Sequence, residues 1–194
     1  MRFEEMAMSD TEAKLGFLLE MEKLKAVLRR TRPVGEARLE NSAEHSWQTA
    51  MAALLFMPED LDELRVLKML LIHDIVEIDT GDTFVYDEAA RTEIADEEAK
   101  AAERIFGSLP DPLGAELLAL WHEFENRSSP EAVFAKAMDR VCPVLQNLES
   151  EPNSWLENNI SGDRVLAKNA EIENADPALW RILQSRIKTS FGMA

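Results

Sequence analysis

Apolar residues recur every three or four positions along nearly the whole chain, and no stretch alternates with a two-residue period between glycine-rich turns. That pattern predicts an all-α protein. A first helix is expected over about residues 12–30, where Leu15, Leu18, Leu19, Leu24 and Leu28 trace an imperfect apolar face ending before Pro33. After a loop over 31–40, Asn41 can cap the next helix with Glu44 reaching back to it. Trp47, Ala50, Met51, Leu54 and Leu55 then fall on one side of that helix. From Leu61 to Ile78 apolar residues occupy almost every side, which predicts a central helix surrounded by others and stopped at Gly81.

The acidic stretch 88–106 reads as an amphipathic helix ending at Gly107. Asp111-Pro112 and Ser129-Pro130 are start signals for two more. The first of these buries Leu113, Leu117, Leu120, Trp121 and Phe124. The second buries Phe134, Met138, Val141 and Leu145, with Pro143 expected to bend it. Asp176 and Pro177 open a last helix, whose Leu179, Ile182, Leu183 and Ile187 are expected to close over the core. No internal repeat or low-complexity segment interrupts this series. One domain is expected over 1–194, with a core of about 15–149 and C-terminal helices over 152–191 packed on it.

Composition narrows the function. With 194 residues, 46% of them hydrophobic, the chain can bury a sizeable core. A formal net charge of −16 argues against general attraction to nucleic-acid polymers or anionic membranes, so an anionic ligand must be captured by a local positive group. Cys142 is the single cysteine, which excludes an intrachain disulfide. The first ten residues, MRFEEMAMSD, lack the basic flank and apolar run of a signal peptide, and apolar runs elsewhere fall short of the ~20 residues of a membrane span. A cytoplasmic location is expected.

His73 and Asp74 are adjacent inside the most apolar predicted helix, where an uncompensated carboxylate carries a large desolvation cost. A salt bridge, a helix cap or a metal ion would each offset it. The chain has three histidines, and His45 and His73 lie in consecutive predicted helices. His45 alone fits a satisfied core histidine, and Asp139 alone fits a partner of Arg140. Helical bundles also build metal sites from inward-facing side chains on different segments, although spacing by itself does not establish convergence. His122, beside Trp121, reads as a surface or supporting residue, and the run Asp96 to Lys100 as a solvated helix face.

The ordered pattern H…HD…D, seen as Glu44-His45-Ser46, His73-Asp74 and Met138-Asp139-Arg140, resembles the HD-domain superfamily. The stretches ENSAEHSWQ, HDIVEIDTGD and LWHEFENRSSPEAVFAKAMDR are similar to its 5′-deoxynucleotidase family, with the likeness covering roughly Leu15 to Glu149. The resemblance implies an all-α HD-domain bundle in which His45, His73, Asp74 and Asp139 hold one divalent cation. Two imidazoles and two carboxylates suit Mn²⁺, Co²⁺, Mg²⁺ or Fe²⁺, with Zn²⁺ also admissible. It further implies that Glu77 activates water, that Asp82 of the T-G-D sequence stands beside the leaving group, and that Arg30 binds phosphate. Neighbouring Arg29 and Arg32 leave that last register open. The alternatives from the residues alone are a support for a ligand histidine at Glu77, a loop cap at Asp82 and an exposed basic helix end at Arg30. Some family members carry an aromatic residue after the arginine where this chain has Thr31, which weakens the expectation of strict deoxyribose preference.

The implied activity is removal of phosphate from a nucleoside 5′-monophosphate, the small-molecule partner, by a homodimer. Other HD-type reactions, on phosphodiesters, guanosine polyphosphates or nucleoside triphosphates, share the metal quartet. A non-catalytic helical module with a structural ion is a further alternative, against which the extra carboxylates Glu77 and Asp82 count.

Overall fold

The computed structural model describes residues 9–193, so most of the stretch bearing on a signal peptide lies outside the described residues. Within them the chain runs through α1 (Asp10–Met21), a 3-10 turn (Glu22–Ala26), α2 (Ser42–Phe56), α3 (Glu63–Ile72) and α4 (Glu77–Thr80). It continues through α5 (Glu88–Phe106), α6 (Leu113–Asn126), α7 (Pro130–Glu149), α8 (Ser154–Glu157), α9 (Gly162–Asn169), α10 (Ile172–Ala175) and α11 (Pro177–Ser190). The all-α expectation holds. The only β-type pairing among the described residues is an isolated bridge between Leu28 and Asn41.

α7 is the axis of the bundle, packed against α2, α3, α6, α10 and α11. Its Phe134, Met138, Val141 and Val144 join Met69, Leu70 and Phe124 in one core, onto which Leu179, Trp180, Leu183 and Ile187 of α11 close. A second core gathers Leu24, Ile72, Ile75, Ile105, Phe106 and Trp121. Pro143 sits inside α7 without ending it. Lacking an N–H, it removes the helical partner that the carbonyl of Asp139 would otherwise have. Asp176 caps α11 by accepting from the amides of Ala178 and Leu179, as its sequence signal suggests. By contrast, Asp111 caps nothing: α6 begins after Pro112 without a side-chain cap.

Three expectations are corrected. The first helix stops at Met21, and Leu15, Leu18, Leu19 and Leu28 are exposed, while Ala13 and Leu24 are buried. In α2 the apolar stripe is reversed: Trp47, Met51, Leu54 and Leu55 face outward, and Ser42, His45, Ser46, Thr49 and Ala53 face inward. The inner face of α2 is built of small and polar side chains rather than bulky apolar ones, which explains why hydrophobic periodicity misplaced it. The central helix expected up to Ile78 ends at Ile72. Residues 73–80 proceed mostly through i to i+3 hydrogen bonds, including Glu77 N–H to the Asp74 carbonyl at 3.0 Å and Ile78 N–H to the Ile75 carbonyl at 3.2 Å. In so tight a turn residues three apart eclipse one another, which brings Asp74 and Glu77 to one side.

Candidate metal centre

The four proposed ligands come from three parts of this frame. α2 presents His45, the end of α3 presents His73 and Asp74, and α7 presents Asp139. One ligand atom each from His45, His73 and Asp74 lies within 4.8 Å of the others. Asp139 Oδ1 adjoins both imidazoles, at 2.9 Å from His45 Nε2 and 3.6 Å from His73 Nε2. Asp74 lies 3.1 Å from His73 Nε2 and 3.8 Å from His45 Nε2. Both rings therefore turn Nε2 toward the two carboxylates.

The ring of His73 is fixed from behind. Its Nδ1–H donates to the Leu70 carbonyl at 2.8 Å, so Nε2 is the atom left to bind a cation, and this Nε2 is buried without a hydrogen-bond partner. Trp121 Nε1–H donates to the His73 carbonyl at 3.1 Å, and the Phe124 ring lies 5.1 Å from the imidazole, centroid to centroid. Burial disfavours the imidazolium, but Asp74 and Asp139 outweigh it and push the His73 pKa up to about 10. Burial likewise opposes ionisation of Asp139, yet its hydrogen bond with His45 and the nearby His73 imidazole hold the carboxyl well below the usual range. Two buried carboxylates that stay ionised demand positive charge between them. An imidazolium supplies it in the bare protein, and a divalent cation on the same atoms fits the donor set.

His73, Asp74 and Asp139 line a cleft of about 950 Å³, the solvent at its mouth included. Glu77 and Asp82 both line it. Ser42 Oγ–H donates to Glu77 Oε2 at 2.5 Å. Burial, then the neighbouring Asp74 charge, raises the Glu77 carboxyl well above its ordinary pKa against the pull of Arg29. Burial also raises that of Asp82. Gly81, at φ +75°, supplies the left-handed turn that delivers Asp82 to the cleft.

The arginines divide the space differently from the one-residue assignment made on the sequence. Arg29 is largely buried and braces the carboxylates, with its terminal nitrogen 2.8 Å from Asp74, 3.4 Å from Asp82 and 3.9 Å from Glu77. Arg30 is exposed, lines the same cleft with its guanidinium 5.8 Å above the Phe84 ring, and forms no ion pair among the described residues. Arg32 is instead engaged with Glu157 at 2.6 Å. His122 is exposed, as expected. In the run Asp96 to Lys100, however, Glu98 is half-buried and lines the cleft, so that face is not wholly solvated.

Sequence reasoning gave no role to the buried Glu40 and Lys136, and considered Arg29 only as another register for the phosphate ligand. Lys136 Nζ bonds Glu125 at 2.9 Å and stands 3.9 Å from the Phe124 ring centroid, and Lys136 lines the cleft as Arg30 does. A buried lysine three residues before Asp139 in an apolar helix was the available signal.

A helical bundle converging two histidines and two aspartates on one buried point defines the HD class of metal site. The family description "HD domain" matches residues 21–180, and the chain belongs to that family. It is 35% identical over 112 residues to the protein called 5′-deoxynucleotidase HDDC2 of Bos taurus, a match covering 58% of this chain and 55% of the relative. The chain thus spans little more than half the length of that relative. The Dictyostelium discoideum protein of the same name is 31% identical over 130 residues, covering 62% of this chain and 68% of the relative. Among solved structures, a predicted metal-dependent phosphohydrolase from Magnetospirillum magnetotacticum MS-1 superposes with a TM-score of 0.87 at 42% identity, covering 94% of this chain and 93% of that one.

Proposed function

We propose that this chain is a divalent-metal-dependent phosphomonoesterase that releases phosphate from nucleoside 5′-monophosphates, ribo- or deoxyribo-. The observation that carries the reading is the convergence of His45, His73, Asp74 and Asp139 at the wall of a cleft that two further carboxylates, Glu77 and Asp82, also line. A site that only held a structural ion would need neither of the last two. The name 5′-deoxynucleotidase carried by similar proteins supports the substrate class.

A divalent cation on the quartet supplies positive charge against the phosphoryl oxygens and acidifies water. The chain's own groups do the rest. Arg30, with no ion pair among the described residues, receives the phosphate at the mouth of the cleft. Glu77 takes the proton from the attacking water, oriented by the Ser42 hydroxyl. As the water oxygen bonds to phosphorus, the bond from phosphorus to the 5′-oxygen breaks, and that oxygen leaves as a hydroxyl with a proton delivered from the side of Asp82. Arg29 keeps Asp74, Glu77 and Asp82 close despite their like charge. Thr31 is turned inward, its hydroxyl donating to Glu40 at 2.8 Å, so it offers no aromatic surface to the sugar. Discrimination between ribose and deoxyribose is accordingly weak.

The same reading places the enzyme in the cytoplasm, in agreement with the absence of a helix long and apolar enough to cross a membrane among the described residues. It also makes the enzyme a homodimer. The C-terminal helix turns Leu179, Trp180, Leu183 and Ile187 to its own core and exposes Ile182. The outward α2 face is better suited: Trp47, Met51, Leu54 and Leu55 are exposed, and residues 46–57 carry no charge in a chain of net −16. Stripping the protein with a chelator and restoring Mn²⁺, Co²⁺, Mg²⁺, Fe²⁺ or Zn²⁺ one at a time tests the reading. Phosphate release should vanish and return with at least one ion. Activity undiminished after verified metal removal would overturn it.

A further inference from the structure

Two buried nitrogens next to the metal quartet have no hydrogen-bond partner, His45 Nδ1 and Arg29 Nε. Both face the same atom. Glu40 Oε2 lies 3.7 Å from His45 Nδ1 and 3.4 Å from Arg29 Nε. The Glu40 side chain is 2% exposed, with Thr31 Oγ–H donating to Oε2 at 2.8 Å and the Gln146 amide donating to Oε1. Its backbone is pinned as well. The Arg29 amide donates to the Glu40 carbonyl and the Glu40 amide to the Thr31 carbonyl, each at 2.9 Å, and the Ser42 amide donates to Val27 at 3.0 Å. A carboxylate held so firmly in the interior, facing two unpartnered donors, is placed for a task beyond filling space.

We infer that Glu40 is a positioning residue that fixes the imidazole of His45 with its proton on Nδ1, so that Nε2 is presented to the cation, and that steadies Arg29 from the same oxygen. A carboxylate can only accept: Nε2 faces Asp139 Oδ1 at 2.9 Å and Nδ1 faces Glu40 Oε2 at 3.7 Å, so with a cation on Nε2 the ring proton belongs on Nδ1, where Glu40 is the acceptor that faces it. The opposite nitrogen is then left with its lone pair toward Asp74 and Asp139, where the cation belongs. His73 obtains the same tautomer from the Leu70 carbonyl, whereas His45 has no backbone carbonyl on Nδ1 and relies on Glu40. Glu40 thereby links the metal ligand on α2 to the arginine that braces Asp74, Glu77 and Asp82.

The inference rests on the metal-site reading, and its test separates the two. Glu40→Gln keeps the shape and an acceptor for Gln146 but turns an amide donor toward His45, which favours the wrong tautomer. Metal-free wild type and variant are titrated with Mn²⁺ alone, and the variant should bind about 10-fold or more weakly at an unchanged thermal midpoint. Its phosphate release should recover at high Mn²⁺. Equal Mn²⁺ affinity in the two proteins would overturn the role of Glu40 while leaving the metal site intact. A wild type that binds no Mn²⁺ would overturn both. A second measurement needs no variant: ring ¹⁵N shifts of Mg²⁺-loaded wild type should show His45 protonated at Nδ1, and a proton on Nε2 instead would refute the inference even if Glu40→Gln failed to fold.

Discussion

His45 Nε2 and Asp139 Oδ1 lie 2.9 Å apart although 94 residues separate them in the chain. The contact joins the inner face of α2 to the middle of α7 and brings the last of the four residues to the other three. Asp139→Asn keeps the shape but removes a charge that both histidines face. Metal affinity should fall by more than the ~10–100-fold that loss of an outer supporting group costs, and activity should fall with it. Elemental analysis of the purified variant checks this. Full occupancy would strike Asp139 from the ligand set.

Glu77 is the group whose role can be most sharply divided. Glu77→Gln cannot accept a proton at neutral pH, so turnover should drop by about 10²-fold or more while Mn²⁺ binding and the thermal midpoint stay near wild type. A rate restored to near wild type by saturating Mn²⁺ would instead make Glu77 a support for the ligands.

How much of this was visible in the sequence differs from residue to residue. Scarce histidine and charged groups in apolar helices drew attention to His45, His73, Asp74 and Asp139, but it was the resemblance to the HD-domain superfamily that joined them into one ligand set. The tight turn after Ile72 was not legible, since its residues are as apolar as the helix before it, and hydrophobic periodicity cannot distinguish i to i+3 from i to i+4 hydrogen bonding. The faces of α1 and α2 were misread for a related reason: burial there follows small and polar side chains, Ala13, Ser42, Thr49 and Ala53, while Leu18, Leu19, Trp47 and Leu55 face outward. Glu40 was hidden altogether, as an acid in a loop gives no one-dimensional sign that an arginine, a histidine and a glutamine will surround it.

The pair Arg29 and Arg30 shows what a single residue of register decides. Arg30→Ala should raise KM for a nucleoside monophosphate by about 10-fold or more, through loss of a charge-assisted contact, with little change in stability. Arg29→Ala leaves Asp74, Glu77 and Asp82 without their shared cation and should lower the thermal midpoint. Steady-state kinetics and melting curves on both variants separate the roles, and an unchanged KM in Arg30→Ala would remove it from phosphate binding.

Phe124 packs beside the site, with its ring centroid 5.1 Å from that of His73 and 3.9 Å from Lys136 Nζ. It is fully buried. Phe124→Ala should cost about 3–5 kcal/mol of folding free energy, the range for truncating a buried phenylalanine. Urea titration monitored by tryptophan fluorescence measures it, and a loss below about 1 kcal/mol would mean the surrounding side chains collapse into the space.

The central claim, hydrolysis of a terminal phosphate on the 5′-oxygen of a nucleoside, is tested most directly by inorganic phosphate release at fixed Mn²⁺. The substrates are matched nucleoside 5′-monophosphates, 3′-monophosphates, cyclic nucleotides and triphosphates, in ribo and deoxy forms. The account predicts that the 5′-monophosphates turn over fastest, with the ribo and deoxy forms close to one another. Faster turnover of a cyclic nucleotide or a triphosphate, or no release from any nucleotide by the metal-loaded protein, would contradict it.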